Sequence, residues 1–167
     1  MEYNIIYSKR KTVSVKVTDD GMICVRAPKV VTKKQIDEIV LRHSDWIKKA
    51  RERVLAKASL YSQNSFSKEQ VLASVMPYVE KYSRLMGVTP KEIKITSAKK
   101  RFGSCSSDGT VCFSKYLCLY PERAIEYVVV HELAHLVHLN HSKSFHALVA
   151  KYLPDCPERK KLLRILP

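Results

Sequence analysis

The sequence predicts an α+β protein in which N-terminal β-strands and a long helix precede a domain built from helices and a small sheet. Three observations carry that expectation. Short segments of period-two alternation open the chain, amphipathic stretches of helical period follow, and a strongly apolar helix in the last third holds two histidines four residues apart. A length of 167 residues suffices for one core, or for one core with a small appendage. A hydrophobic fraction of 46% excludes disorder, and no run approaches the roughly 18 consecutive apolar residues of a membrane span. Met1-Glu2-Tyr3-Asn4 is not a basic region leading into an apolar block, so no secretory signal is expected and a cytoplasmic location is.

Tyr3 to Ser8, Thr12 to Thr18 and Met22 to Ala27 read as strands; Val13, Val15 and Val17 alternate with polar residues as on a half-buried sheet. Asp20-Gly21 favours a tight turn between the second and third, and Pro28 ends the third because it cannot donate to a ladder. Thr32 with Gln35 makes a capping box. From it, Ile36, Ile39, Val40, His43, Ile47 and Val54 recur at helical spacing, predicting one helix to about Ala58, with Ser59 to Ser67 as a loop. A domain boundary is placed there, between residues 1–62 and 63–167. Ser67 with Gln70 starts another helix and Gly87 stops it; Pro77 inside predicts a kink or a later start. Ile93 to Ser97 and Thr110 to Phe113 read as strands, with Arg101 to Cys105 leading toward a turn at Ser107-Asp108-Gly109 and Lys115 to Leu119 as a short strand extension.

The charge names no partner by itself. Thirty Lys and Arg against 16 Asp and Glu give +14, shared equally between residues 1–70 and 71–167, and Lys99-Lys100-Arg101 is a cluster of three only. This predicts a solubilising surface with a general, weak attraction to polyanions, nucleic acid included. Five cysteines without a C-x-x-C pair argue for reduced thiols rather than a disulfide framework or a thiolate zinc knuckle.

The chemistry lies beyond Pro121, which suits a first helical turn. Ala124, Ile125, Val128 and Val129 form the apolar side of a helix that continues His131-Glu132-Leu133-Ala134-His135, or H-E-x-x-H. Residues four apart stack on one helix face, so two imidazoles reach one ion, while Glu132 projects about 100° round, beside the metal. A chance occurrence in this composition is on the order of one in a hundred. Zinc requires a third protein ligand and a fourth position left for water. His138 lies two turns from His131, about 10.5 Å along the axis, too far for three imidazoles of one straight helix to converge. His141 is best placed if the helix ends near Asn140 and Ser142 caps the next one, with His138, His146 and Glu158 as alternatives.

With H-E-L-A-H-x5-H, the following S-x-x-F, Arg-Phe-Gly-Ser-Cys-Ser at 101–106, and Lys9-Arg10-Lys11-Thr12, Val25-Arg26-Ala27-Pro28 and Trp46-Ile47 upstream, the chain resembles the YgjP-like metallopeptidases, relatives of the SprT and WLM zinc proteases. The resemblance covers nearly the whole chain. It implies a zincin-like catalytic domain, zinc held by His131, His135 and His141, Glu132 as catalytic base, and a protein or peptide substrate. Three positions depart from the family: Phe102 and His146 stand where Trp is usual, and Cys156 where an aromatic is common. A strand antiparallel to the substrate would bind it by backbone pairing, with Thr110 to Phe113 the expected one. No spacing rule selects an oxyanion partner among Arg101, Tyr116 and Tyr120.

Overall fold

A computed structural model of the chain describes residues 1–166; Pro167, the last residue of the expected second domain, lies outside them. The chain divides into two units, Met1–Asn64 and Ser65–Leu166.

In the first unit, β1 (Asn4–Ser8), β2 (Ser14–Val17) and β3 (Ile23–Pro28) form a sheet of order β1-β3-β2. The hairpin expected at Asp20-Gly21 pairs β2 with β3 antiparallel, Val15 opposite Val25. Thr18 holds the turn by donating its hydroxyl to the Met22 carbonyl, 2.8 Å away, and the Asp20 carboxylate accepts the Met22 N–H at 3.1 Å. β1 joins the other side of β3 in parallel, Ile5 opposite Val25. Val17, Ile23, Val25 and Ala27 bury one face of the sheet against Ile36, Val40 and Ile47.

The single helix expected from Thr32 to Ala58 is in fact two, α1 (Lys33–Arg42) and α2 (Ser44–Gln63). The capping box at Thr32 and Gln35 forms. The break falls at His43, whose backbone turns to φ −100°, ψ 13° and whose Nδ1 lies 2.8 Å from the Ile39 carbonyl oxygen. A side chain bonded to its own helix end competes with the next turn, and Asp45 then suits a new N-terminus. α2 also outruns the expected stop at Ala58. Ser62 donates to the Ser59 carbonyl and the Asn64 side chain to that of Leu60, both at 2.9 Å, and Tyr61 is buried; together these sustain a last turn that composition alone reads as loop.

The second unit opens with α3 (Lys68–Met86). Ser67 and Gln70 make the expected reciprocal cap, and Gly87 ends the helix at φ 66°, a left-handed conformation that glycine adopts without a Cβ clash. The helix starts at the cap and continues through Pro77, because Val71, Val75, Val79 and Tyr82 bury one continuous stripe. β4 (Glu92–Thr96), β5 (Gly103–Cys105) and β6 (Thr110–Ser114) form a sheet of order β4-β6-β5, with β4 parallel and β5 antiparallel to β6. The Arg101 to Cys105 segment is therefore a strand as well as an approach to the turn. The turn itself is tied by Asp108, which accepts from the Ser106 hydroxyl at 2.6 Å and the Thr110 N–H at 3.1 Å. Residues Lys115–Leu119 are a 3-10 turn rather than a strand extension. The Ser114 hydroxyl accepts the Tyr116 N–H there, and burial of Leu117 holds the turn inward.

Three helices complete this unit: α4 (Glu122–Ala134), α5 (Lys143–Tyr152) and α6 (Cys156–Leu162). α4 is buried nearly all round, with Val129, Val130 and Leu133 fully enclosed by a core that includes Val75, Val111, Phe113 and Phe145. It is also pinned by charge. Arg159 of α6 donates to Glu126 of α4 at 2.5 Å and to Asp155 at 2.7 Å, and the Tyr82 hydroxyl of α3 donates to Glu126 at 2.6 Å. Burial raises the Glu126 pKa, but the bonds from Tyr82, Arg159 and Lys81 outweigh it and hold this carboxyl below its usual range. A helix buried in the core and tied through Glu126 to both α3 and α6 is a rigid platform for whatever it presents at its end. Among the described residues no helix is long and apolar enough to cross a membrane.

Candidate metal centre

His131 lies in the last turn of α4 and His135 caps its C-terminus one turn on, and their rings meet edge to face with centroids 5.1 Å apart. The helix does not run to Asn140 as the sequence suggested. It ends at Ala134, and the N–H groups of His135, Leu136 and Val137 tighten onto carbonyls three residues back, at 3.2, 3.0 and 3.2 Å. The chain then folds back to Ser142, which caps α5 by accepting the Phe145 N–H as expected. His141, on this returning segment, brings its Nε2 to 3.1 Å from that of His131. One ligand atom from each of His131, His135 and His141 lies within 4.8 Å of the others.

This donor set fits a metal ion. Two nitrogens bound to one tetrahedral zinc at about 2.0–2.1 Å lie roughly 3.3 Å apart, close to the separation found here. The His135 Nδ1 is 3.0 Å from the His138 carbonyl oxygen. A carbonyl only accepts, so Nδ1 carries the proton and the Nε2 lone pair is left for an ion. Burial, then the neighbouring imidazoles, pushes His131 down to about 4, and burial lowers His135 also. Both rings are therefore neutral at neutral pH, which is the ligating form.

The alternatives to His141 fall elsewhere. His138 contributes its backbone oxygen, and its ring is not among the three donors. The exposed His146 ring is 6.2 Å from that of His141, and Glu158 sits exposed on α6, neither in the donor group. The floor of the site is Phe145, fully buried, stacked on His135 at 4.5 Å and edge-on to His131 and His141 at 4.9 and 4.8 Å. In sequence it shows only as the F of S-x-x-F, with nothing to say that it touches all three rings.

Glu132 is 6% exposed, and burial pushes its carboxyl up to about 7 against a downward pull from Arg101. Gly103 of β5 makes room for it. A Cβ there would lie 2.6 Å from Glu132 Cγ and 2.7 Å from Oε1. That close approach was not predicted; the visible trace was one of only four glycines, inside Arg-Phe-Gly-Ser. Tyr116 and Tyr120 are buried, Phe102 meeting the Tyr120 ring edge-on at 4.9 Å, so of the three oxyanion candidates Arg101 alone is exposed. Burial raises the Cys105 thiol pKa, which makes it a poor thiolate ligand.

Two hollows meet at the histidines. The larger, about 600 Å³, is bordered by Phe102 and Gly103; the smaller, about 290 Å³, by Gly103, Ser104 and Cys105; His131, Glu132 and His141 line both. β5 runs beside them as the edge strand of its sheet. The expected substrate-pairing strand, Thr110 to Phe113, belongs to β6, which has β4 on one side and β5 on the other and so has no edge to offer. In β5, Ser104 faces Cys112 between the bonded pairs Phe102–Ser114 and Ser106–Thr110, so the backbone groups of Gly103 and Cys105 point away from β6.

Three convergent imidazoles, two from the end of α4 and one from the segment that returns to it, beside the buried Glu132 carboxyl have the donor set of a metal-dependent hydrolase. The chain belongs to the YgjP-like metallopeptidase family, whose profile, described as "YgjP-like, metallopeptidase domain", matches residues 11–68 and 62–165. It is thus a peptidase of the metal-dependent class. Two solved metallopeptidase zymogens are similar over part of it. Pyrococcus abyssi abylysin is 26% identical over 52% of this chain and 89% of its own, at a TM-score of 0.48. Methanocaldococcus jannaschii jannalysin is 22% identical over 54% and 94%, at a TM-score of 0.47. No curated protein matches the chain.

Proposed function

We propose that the chain hydrolyses peptide bonds of protein or peptide substrates with a zinc ion held by His131, His135 and His141, and with Glu132 as general base. The convergence of the three imidazole nitrogens beside the buried Glu132 carries this reading. Zinc held by these three imidazoles would supply a Lewis acid and lower the pKa of water to about 7. Glu132 accepts the proton of the attacking water and returns it to the leaving amine, a task suited to a carboxyl that burial has moved toward neutrality. Gly103 and Cys105 hold the substrate backbone on the edge of β5, extending the sheet by one antiparallel strand. Phe145 keeps the three rings from rotating, and the His138 carbonyl fixes the His135 tautomer. Residues 1–62 serve as an appendage to the catalytic domain, residues 63–167. Five free thiols suit a reducing cytoplasm, and the basic surface adds a weak, salt-screened attraction to nucleic acid.

Elemental analysis of purified protein is expected to find about one zinc per chain. Chelation should stop cleavage of a peptide mixture and added zinc restore it; cleavage that survives complete removal of metal would end this reading. Gly103→Ala tests the setting of the base. The new methyl group must displace Glu132, and a misplacement near 1 Å costs on the order of 10²-fold in rate. The expected result is a fall of that size in kcat/KM with zinc content unchanged.

A further inference from the structure

Arg159 and Lys160 are neighbours on α6 with opposite fates. Arg159 is enclosed and bonded to Glu126 and Asp155. Lys160 is exposed, as is Arg164 four residues on, and neither makes an ion pair with a carboxylate of the described residues. Both line the larger hollow beside the metal centre. Its walls are otherwise largely apolar, Phe102, Tyr127, Val128 and Leu163 among them, and among the described residues the only carboxylate in its lining is Glu132. Two cations at an apolar cavity, with no carboxylate partner among the described residues, favour a ligand with an apolar body and an anionic end.

The direction of the substrate says which of its residues enters. A strand antiparallel to β5 runs from the Cys105 end toward Phe102. The part of the substrate before the scissile bond therefore lies by the smaller hollow, and the part after it by the larger. We propose that the larger cavity receives the side chain of the residue following the scissile bond, and that Lys160 and Arg164 select one ending in a carboxylate, glutamate above all. Glutamate fits better than aspartate because its two methylenes reach along the apolar wall. This rests on the peptidase function proposed above.

The test compares peptides identical except for Glu, Gln or Lys after the scissile bond, each with a free and an amidated C-terminus, with cleavage sites located by mass spectrometry. Wild-type protein loaded with zinc is expected to cleave the Glu peptide roughly five- to tenfold faster than the Gln peptide in kcat/KM, as two partly exposed charge pairs allow. Amidation should leave that ratio unchanged. The double variant Lys160→Gln, Arg164→Gln should bring the ratio close to one. Equal rates for Glu and Gln in the wild type, a ratio unmoved in the double variant, or dependence on the free C-terminus alone would each overturn the assignment. Affinity of the same peptides for zinc-loaded Glu132→Gln protein, read by fluorescence anisotropy, gives the preference without cleavage. If no peptide is cut, the peptidase reading fails, and the cavity's preference still stands or falls on tighter binding of the Glu peptide than of the Gln peptide.

Discussion

Glu132→Gln is expected to keep about one zinc per chain while lowering kcat by roughly 10²- to 10⁴-fold, the range that a positioned acid–base group supplies. Glutamine matches glutamate in size, so it fits the space beneath Gly103, where even a methyl group on that glycine would collide with the side chain. It is not one of the three donors, so metal content should not change. The amide cannot take a proton from water at neutral pH, and the loss is confined to that step. The burial that raises the Glu132 carboxyl to about 7 is opposed by any dication at the three histidines, so its basicity is set by two opposed effects of similar kind. Zinc content by elemental analysis and the rate on one defined peptide, measured on the same preparation, decide the matter. Cleavage at the wild-type rate would remove Glu132 from the mechanism.

Much of the site was legible because its grammar is local. H-E-x-x-H is a statement about one helix face, and Ser142 with its cap is a statement about the next helix start. The capping boxes at Thr32 and Ser67 formed for the same reason, since each involves residues three apart. What could not be read depends on residues far apart in the chain. Whether β5 or β6 holds the sheet edge follows from β4 pairing with β6, across an intervening strand and turn. Gly103 meets Glu132 across 29 positions, and nothing in either neighbourhood announces the other. The break at His43 is a different failure: the apolar period continues through it, so the pattern reads one helix while a side-chain bond to Ile39 makes two. The end of α4 is set by backbone bonding in the same way. Asn140 is the residue whose type tolerates a stop, whereas the i→i−3 bonds after Glu132 tighten the chain six residues earlier and bring His141 round.

That early stop gives the second large effect, the contrast between His141→Ala and His138→Ala. His141 supplies a ring nitrogen 3.1 Å from that of His131, while His138 supplies only its carbonyl oxygen to His135. Truncating His141 therefore removes a donor. Its expected cost in zinc affinity exceeds the roughly 10- to 100-fold that loss of a hydrogen bond to a ligand produces. Truncating His138 leaves the carbonyl in place, and zinc affinity should stay within about threefold of wild type, less than the loss of even that supporting bond would cost. Competition against a chromophoric chelator measures both. Thermal melting gives an independent reading, because a metal that binds only the folded chain stabilises it by about 2.7 kcal/mol at a hundred times its Kd. Wild type and His138→Ala should gain stability with zinc, and His141→Ala should gain little at the same concentration. If His141→Ala holds zinc as tightly as the wild type, the third donor is some other group, with the exposed His146 the first to replace. If His138→Ala loses zinc instead, the carbonyl bond to His135 depends on the ring of His138, and the metal site extends one turn further than its three donors.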